Sequence, residues 1–550
     1  MSEAPSPARS GRGSRKRARE DRKAARMGSS QVSQLAFGPL TNSYPPLNPL
    51  TEEQLEAVHQ ASLDLLRDGG IEVMSERVRR AFAKEGAKVL EDRDVVLTDP
   101  DMIVELVSRA PRTFTLTPRN PERALQLGGN QSYFGMVSGP PNVHDCVNGR
   151  RAGNFADYKK LLSLGQHFNV IGLFGNQTVA TTDLPPTTRH LDCYLANLCL
   201  TDKIFSAIPI GAGRVNDAAQ MLALARGISL DEMRTHPGLI GNINVNSPRK
   251  LDEAMSDGAL ALAELGQAVI VTPFTLLGAM TPVTMAAGLV QQNAEALFGI
   301  AMIQLFHPGS PVVYGGFTSN VDMRSGAPAF GTPENAKANL AGGQLARRYG
   351  LPYRTSACNA SNVVDAQSTY ETQMALWGAV MGHGNVVYHA AGWLEGGLVA
   401  SYEKFILDIE ILQHLAHMLS PIDCSEDEMG VQAIRDVDPG GHFFGTEHTM
   451  ARYETAFYAP LVSDWQNNEN WQAAGAKSAT ERATTLWQLI LAEHEPPEID
   501  PGIEESLEDY VARRKEAIGT NEPLETSQGS YPPTPKRGHS LSCHSRVLDA

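Results

Sequence analysis

The feature that most constrains this chain is a repeated alternation of short apolar segments and longer segments of helical period, from Ser132 to about Pro421. The apolar segments are rich in β-branched residues, and successive ones begin roughly 30 to 45 residues apart, which is the spacing of strand–helix units. Eight such units in a row predict an α/β protein built on a closed (β/α)₈ TIM barrel. The predicted strands are Tyr133–Ser138, Val170–Asn176, Ile204–Ile210, Ile240–Val245, Val269–Thr275, Val312–Phe317, Tyr353–Cys358 and Val386–Ala390.

Segments outside the barrel predict an N-terminal α/β cap and a C-terminal helical extension. Thr51 and Gln54 have the spacing of a capping box, so the first helix is expected to begin there. Gly350 followed by Pro352 is expected to close one barrel helix, and Ser247-Pro248 to open another. The predicted domains are a disordered basic tail (1–47), the cap (48–128), the barrel (129–422), the extension (423–518) and a disordered tail (519–550).

Composition and charge exclude several classes of protein. No window approaches the roughly 20 apolar residues of a membrane span, and the N-terminus lacks the apolar core of a signal peptide, so we expect a soluble cytoplasmic protein without a membrane partner. The net charge of −15 includes a basic tail, since residues 1–30 hold nine Lys or Arg and three acids. The rest is therefore strongly acidic, which argues against nucleic acid and favours a cationic substrate.

Polar and aromatic residues recur where the predicted strands end, which is where catalytic groups lie in TIM barrels. Strand four reads Asn242-Ile-Asn-Val-Asn246, and its alternation puts three amides on one face. This predicts a polar well bordered by aromatic rings, although ordinary packing of satisfied amides and rings between strands and helices is the alternative. Other strand ends carry the same residue types: Pro140–Asp145, Phe174–Gln177, Tyr314–Asn320 and Tyr388–Glu395.

Missing residue types narrow the chemistry further. No lysine stands at these strand ends, so a Schiff-base mechanism lacks its nucleophile. No two histidines at these strand ends share a strand or an i,i+4 helical spacing, and only His144, Asp145 and His389 could converge on a metal, so no metal site is predicted. Neutral amides with aromatic rings suit a small cation, because a quaternary ammonium is held by aromatic faces. The rings expected nearest to it are Tyr133, Phe174, Phe317 and Trp393.

Several motifs, in order along the chain, resemble those of the trimethylamine methyltransferase family: Asp365–Glu371, Val387–Glu395, Gly440–Thr449 and Tyr510–Lys515. The resemblance covers about residues 35–518. It implies a barrel enzyme that binds a methylated amine at the mouth and transfers a methyl group to Co(I) of a corrinoid. The corrinoid (cobalamin) is carried by a partner protein, so no cofactor bound by this chain is expected. The resemblance also implies a homo-oligomer.

One departure from that family narrows the implied substrate. Its founding members carry pyrrolysine after strand seven, whereas here the loop Cys358–Val364 contains only ordinary residues. The resemblance therefore implies the non-pyrrolysine branch, which demethylates quaternary amines such as glycine betaine. A quaternary nitrogen leaves as a neutral amine, so the protein need supply only orientation and desolvation.

For a betaine, His389 is the expected donor to the carboxylate, and Glu395 is expected to orient it or to face the cation. Arg354 is a second possible ion partner, or a structural residue. The amide side chains expected to assist are Gln177, Asn244 and Asn246. Three alternatives stay open: activity on trimethylamine itself, a non-catalytic amine or betaine sensor, and a metal-dependent barrel lyase.

Overall fold

The barrel predicted from the sequence is present in the computed structural model, which describes residues 32–520. Eight parallel strands pair in chain order, and the last pairs with the first to close the barrel. This confirms the predicted fold class. The strands are β1 (Gln131–Gly135), β2 (Ile171–Phe174), β3 (Ile204–Ala207), β4 (Ile240–Ile243), β5 (Ala268–Val271), β6 (Val312–Gly315), β7 (Tyr353–Ser356) and β8 (Val386–Tyr388).

One principal helix follows each strand. Gly350 ends its helix in a left-handed conformation, as predicted. The prediction for Ser247-Pro248 was wrong: the helix after β4 begins at Glu253, capped by Asp252, because Lys250–Leu251 is paired as a strand with Ile71–Val73. The barrel helices are α1 (Phe155–His167), α2 (Arg189–Leu200), α3 (Ala212–Arg226), α4 (Glu253–Glu264), α5 (Met285–Phe306), α6 (Pro333–Tyr349), α7 (Ala366–Met381) and α8 (Tyr402–Leu419), and a short helix, Leu230–Thr235, precedes β4.

The two ends of the barrel differ. At the N-terminal end, a hairpin of Phe114–Leu116 and Leu125–Leu127 packs its leucines against inward-facing residues such as Ile204 and Val386. At the carboxyl end, two small sheets raise the wall of the mouth. One contains Phe274–Leu277, Phe317–Val321 and Pro328–Ala329, and the other Asn142–Asp145, Gly149–Ala152, Trp393–Leu394 and Val399–Ser401. The hairpin therefore covers the N-terminal end of the barrel interior, and the two small sheets extend the wall around the carboxyl end.

The N-terminal segment packs on the barrel as a small α/β layer. Its first helix begins with the predicted capping box of Thr51 and Gln54. Residues 32–47 differ from the predicted disordered tail, because Leu40–Thr41 pairs antiparallel with β1. Predictions for residues 1–31 and 521–550 lie outside the described residues. The layer contains helices Glu52–Asp68, Glu76–Lys84 and Pro100–Ser108, strands Ile71–Val73, Lys88–Leu90 and Val95–Leu97, and a turn of 3₁₀ helix at Pro121–Arg123.

After α8 the chain forms four short helices and two long ones. Ala479–Glu493 packs on α8 and α1, and Pro501–Ile518 packs on α2 and α3, where the Tyr510 hydroxyl donates to Asp217 over 2.7 Å. None of the helices among residues 32–520 combines the length and apolarity needed to span a membrane. The short helices are Glu426–Met429, Val431–Arg435, Glu447–Arg452 and Asn468–Ala473.

Candidate substrate-binding site

The carboxyl end of β4 lines the barrel mouth with amides. Asn242 is half-buried and Asn244 is exposed, whereas Ile243 and Val245 between them are buried, so the alternation expected from the sequence is present. The Asn242 amide donates to Asn244 over 3.1 Å and accepts from Thr272 Oγ1 over 3.0 Å. Asn246, two residues further along the chain, is also exposed. These side chains form one wall of an open polar well.

The opposite wall contains a buried arginine. Arg354 on β7 is only 3% exposed, and its guanidinium lies 5.4 Å from the Phe317 ring centroid and 5.3 Å from that of Tyr388. Its Nε and Nη1 atoms have no hydrogen-bond partner within residues 32–520, and Nη2 lies 3.5 Å from His389 Nε2. Burial lowers the pKa of Arg354 to about 10, so it is charged at neutral pH. A buried cation without an anion is costly, so this position is suited to an anionic ligand.

His389 lies beside this arginine, directly after β8. Its backbone is left-handed (φ 60°), and its imidazole lies 4.3 Å from the Trp393 ring centroid and 5.8 Å from that of Phe317. Burial, together with the charge of Arg354, lowers the pKa of His389 well below its ordinary value. The imidazole is therefore neutral at pH 7, and Nδ1 has no partner among the described residues. It can offer one N–H donor to a ligand.

An aromatic cluster completes the site. Phe317 is half-buried and lies 6.4 Å from Trp393, measured between ring centroids. Phe274, which pairs with Phe317 across neighbouring strands, lies 5.0 Å from it, and Phe330 stacks on it at 5.4 Å. Phe274 lies three residues after Val271, and Phe317 lies three residues after Tyr314, the residue that pairs with Val271, so a comparison of the two strands could have identified Phe274. Phe330 lies further along the same connection between β6 and α6, in a stretch without a pattern that predicts its position.

Trp393 is held in place by a buried network. Its indole N–H donates to the Asn359 carbonyl over 3.1 Å, and the Asn359 amide donates back to the Trp393 carbonyl over 2.5 Å. The preceding Gly392 N–H donates to Asp408 over 2.9 Å, and Asp408 pairs with Lys404 on the same helix. A ring fixed in this way is preorganised for a ligand, because little rotamer freedom is lost on binding.

Four predicted residues make other contacts. Phe174 packs against Gly165 of α1, outside the barrel, and the Tyr133 hydroxyl accepts from Gln126 N at the N-terminal end. Gln177 donates to the Cys193 sulfur over 3.3 Å. Glu395 accepts two hydrogen bonds from Arg150 over 3.0 and 3.1 Å. Of the predicted set, Phe317, His389 and Trp393 lie together, whereas Asn244 and Asn246 lie at the carboxyl end of β4 on the same side of the barrel.

Other chemistry has no visible support in the described part of the chain. No group of three or more His, Cys, Asp or Glu side chains in residues 32–520 is arranged to hold a metal ion. Asp145, weighed above with His144 and His389, instead accepts from Arg151 over 2.6 Å and from the backbone of its own turn. The arrangement is that of a binding site for a small molecule with an anionic group and an apolar or cationic group.

The rim above the well is apolar. Six of the eight loops that follow the strands each carry one large apolar residue that is between 43% and 70% exposed. Met323, from the loop after β6, lies against Gly278 of the loop after β5, so the two loops touch. We refer to these six residues as the rim. Its members are Val147, Ile210, Val283, Met323, Val363 and Leu398.

The neutral state of buried histidines predicts a loss of stability in weak acid. Burial lowers the pKa values of His59, His383 and His389, whereas in the unfolded chain they titrate near 6.5. The stability that depends on these neutral histidines is fully present above pH 6.5. Below pH 6.5 the free energy of unfolding decreases by up to about 1.4 kcal/mol per pH unit for each residue. Urea unfolding at pH 7.5 and 5.5 should show this loss, and His389→Gln should reduce it. An unchanged pH dependence in that variant would contradict a neutral His389.

Comparison with known proteins places the chain among methyltransferases. Residues 12–519 match the family model described as trimethylamine methyltransferase (MTTB). A glycine betaine methyltransferase of Desulfitobacterium hafniense strain Y51 is 36% identical over 476 residues, which cover 86% of this chain and 98% of that protein. A trimethylamine methyltransferase MttB of D. hafniense strain DCB-2 is 26% identical, with 85% and 94% covered. A proline betaine:corrinoid methyltransferase of Eubacterium limosum is 28% identical, with 72% and 82% covered.

Proposed function

Because the chain belongs to the trimethylamine methyltransferase family, we propose that it transfers a methyl group from a methylated amine to a corrinoid protein, and that its preferred donor is a betaine. Family membership follows from the match over residues 12–519 and from the 36% identity to a glycine betaine methyltransferase. The relatives include enzymes named for trimethylamine and for betaines, so the choice of donor depends on the site of this chain.

The unpartnered guanidinium of Arg354 is the observation that carries the proposal. Two of its nitrogens lack partners, and the third is only 3.5 Å from His389. A planar guanidinium with free N–H groups matches a carboxylate in bidentate geometry. Trimethylamine has no carboxylate, and its protonated form would place a second positive charge beside a buried cation. The carboxylate of a zwitterionic betaine instead neutralises the positive charge of Arg354.

The aromatic cluster supplies the other half of a betaine site. Arg354 lies 5.4 Å from the Phe317 ring, so one small molecule can touch the guanidinium and the cluster at once. A quaternary ammonium gains roughly 0.5–2 kcal/mol from each suitable aromatic face. Phe317, Phe274 and Trp393 are the rings that we assign to the ammonium group. The uncharged amides of Asn244 and Asn246 at the end of β4 can donate or accept hydrogen bonds to the ligand.

The proposed reaction needs little chemistry from the protein. The methyl C–N bond breaks, the nitrogen keeps the electron pair and leaves as a neutral tertiary amine, and the methyl group passes to the corrinoid. When present on its partner protein, a reduced corrinoid supplies the nucleophile. Arg354 and neutral His389 hold the carboxylate, and the aromatic cluster excludes water and directs a methyl group to the mouth. No proton is transferred, so this step needs neither a general acid nor a general base.

The partner is expected to cover the mouth. An acceptor carried on another protein must approach the methyl group from the open end of the well, and the apolar rim surrounds that opening. We therefore assign the six rim residues to docking of the corrinoid protein, while the cofactor itself belongs to that partner.

A panel of methyl donors tests the function. We expect the reduced corrinoid protein, incubated anaerobically with this chain, to be methylated by glycine betaine or a related betaine at least 100-fold faster than by trimethylamine, because only betaines neutralise Arg354. The readout is the absorbance change from Co(I) to methyl-Co(III). Faster reaction with trimethylamine would overturn the betaine assignment. Tight betaine binding without transfer to any corrinoid protein would identify a binding protein instead.

A further inference from the structure

The segment that follows α8 is ordered without a core of its own. No residue from 421 to 461 is buried, although the chain there forms three helices of four to six residues. Helices this short are marginal in water, and exposed ion pairs such as that of Arg452 with Glu428 (3.2 Å) contribute little to stability. The arm, as we call residues 421–465, therefore needs additional contacts.

The arm carries a strong negative charge. It contains nine Asp or Glu residues and two Arg, which leaves seven negative charges. Glu426, Asp438 and Glu447 are exposed, and no ion pair within residues 32–520 involves them. Nucleic acid, anionic lipid or a second copy of this acidic chain would be repelled by the arm, so the additional contacts have to come from a cationic group.

Exposed aromatic rings lie among these acids. Phe444, Phe457 and Trp465 are 82%, 85% and 68% exposed. A guanidinium group pairs with carboxylates and also stacks on the faces of aromatic rings, which are attractive to cations. Carboxylates interspersed with exposed rings therefore form a surface that suits an arginine-rich segment better than a purely apolar one.

Residues 1–31, which we call the basic segment, have this composition. They contain nine Lys or Arg and three acids, so their net charge is +6 against −7 for the arm. Six of the nine cations fall between Arg15 and Lys23. The basic segment contains no Leu, Ile, Val, Phe, Tyr or Trp, so any surface that it binds has to be recognised mainly through its charged groups. Its charge and its arginines complement the arm.

The chain emerges from the basic segment beside the arm. Gln34 lines a small cavity together with Gln413 and Ala416 of α8. The arm starts at the end of α8, and on its return Tyr458 packs on His414, with 4.6 Å between the ring centroids. Both contacts fall on the last two turns of α8. About 30 residues can extend over roughly 100 Å, so the basic segment can reach the whole arm.

We propose that the basic segment binds the arm of the same chain, with its arginines paired with the acids of the arm and stacked on the exposed rings. A partner on the same chain reaches an effective concentration of about a millimolar, which favours this contact over one with another molecule at micromolar concentration. Barrel helices run from the mouth to the opposite end, so the contact lies away from the mouth. It is therefore independent of the proposed methyl transfer.

Hydrogen exchange of the full chain, followed by mass spectrometry, tests the proposal. The variant Arg15→Gln/Arg17→Gln/Arg19→Gln removes three charges from the basic segment and leaves the arm unaltered. We expect amides of residues 426–452 to exchange roughly 10-fold faster or more in this variant, because the short helices lose the contacts that hold them. Raising the salt concentration to about 0.5 M should accelerate the same amides in the wild type, since exposed charge pairs are screened.

The matched control removes three positive charges elsewhere. Lys84, Lys88 and Arg93 are exposed on the N-terminal layer, which packs on α5 and α6. Lys84→Gln/Lys88→Gln/Arg93→Gln should leave the exchange of the arm at the wild-type rate. Arm amides that exchange equally fast in the wild type and in the arginine variant would overturn the proposal, as would equal acceleration by the control variant.

Carbodiimide cross-linking locates the contact. The reagent joins a lysine to a carboxylate that it touches, so we expect Lys16 or Lys23 to be linked to acids of the arm such as Glu447. In an equal mixture of unlabelled chains and chains labelled with heavy nitrogen, the linked peptides should carry the same label. Links between differently labelled peptides would assign the contact to two molecules, and links only to acids outside the arm would place the basic segment elsewhere. Either result would overturn the inference. No methyl donor is involved, so failure of the proposed function is distinguished by the donor panel.

Discussion

Replacing Arg354 by methionine is expected to lower kcat/KM for a betaine by at least 100-fold without destabilising the fold. The loss follows because hydrogen bonds to a charged group contribute about 1.5–3 kcal/mol each, and the carboxylate would lose two of them. The fold should be as stable as the wild type or more stable by about 1–4 kcal/mol, since an unpaired buried cation is replaced by an apolar side chain of similar length. Replacing a residue with a purely structural role would not combine a loss of activity with an undiminished stability.

A neighbouring arginine provides the control for that experiment. Arg347 on α6 donates to the Gly382 carbonyl over 2.6 Å and to Asn48 over 2.7 Å, so it has structural partners. Arg347→Met should lower the midpoint of urea unfolding and leave kcat/KM of the remaining folded enzyme unchanged. Isothermal titration with glycine betaine gives the binding part of each effect. An Arg354→Met protein that keeps its activity, or that loses as much stability as Arg347→Met, would remove Arg354 from the substrate site.

The barrel could be predicted from the sequence because its signal is local and repeated. Each strand–helix unit has its own periodicity, and eight consecutive units allow few folds other than a closed barrel. The direction of single side chains was predictable only where the pattern alternates. In β4 the amides alternate with Ile243 and Val245, and their placement was confirmed in the structure. The fold and the common face of the three amides could therefore be predicted from the sequence alone.

An all-apolar strand carries no such information about direction. The segment Ile171–Phe174 is buried on both faces, so the sequence does not indicate whether Leu173 or Phe174 points inward. In the structure Leu173 faces the interior and Phe174 packs on Gly165. The same uncertainty applies wherever helices cover one face of a strand and the barrel core covers the other.

The importance of Arg354 could not be predicted because it depends on what is absent around it. The sequence contains many acids that could have paired with this arginine, and its place early in β7 was compatible with a structural role. Only the folded chain reveals that none of the described carboxylates reaches its Nε and Nη1 atoms. In the same way, the bond between Arg150 and Glu395 joins residues 245 positions apart, which local patterns do not indicate.

A negative charge on the apolar rim is expected to separate docking from chemistry. Met323 and Val283 are 70% and 64% exposed and come from adjacent loops of the mouth, outside the well. Met323→Glu/Val283→Glu should raise the KM for the corrinoid protein at least 100-fold, because a charge buried in an apolar interface is left without a partner. Betaine affinity should stay at the wild-type value, since neither side chain belongs to the aromatic cluster or contacts Arg354. Titration of the corrinoid protein at saturating betaine measures the first effect, and calorimetry measures the second.

An assay with free reduced corrinoid distinguishes a defect in docking of the corrinoid protein from a defect in methyl transfer itself. Without a protein carrier no rim contact is needed, so the rim variant should methylate free corrinoid at the wild-type rate if it is intact. The matched control is Met74→Glu/Val104→Glu, which adds the same charge at similarly exposed positions remote from the mouth. A rim variant that keeps its KM for the corrinoid protein would show that the partner docks elsewhere. A variant slowed equally with free and protein-bound corrinoid would place Met323 and Val283 in the reaction itself, and the apolar rim would then be part of the substrate site.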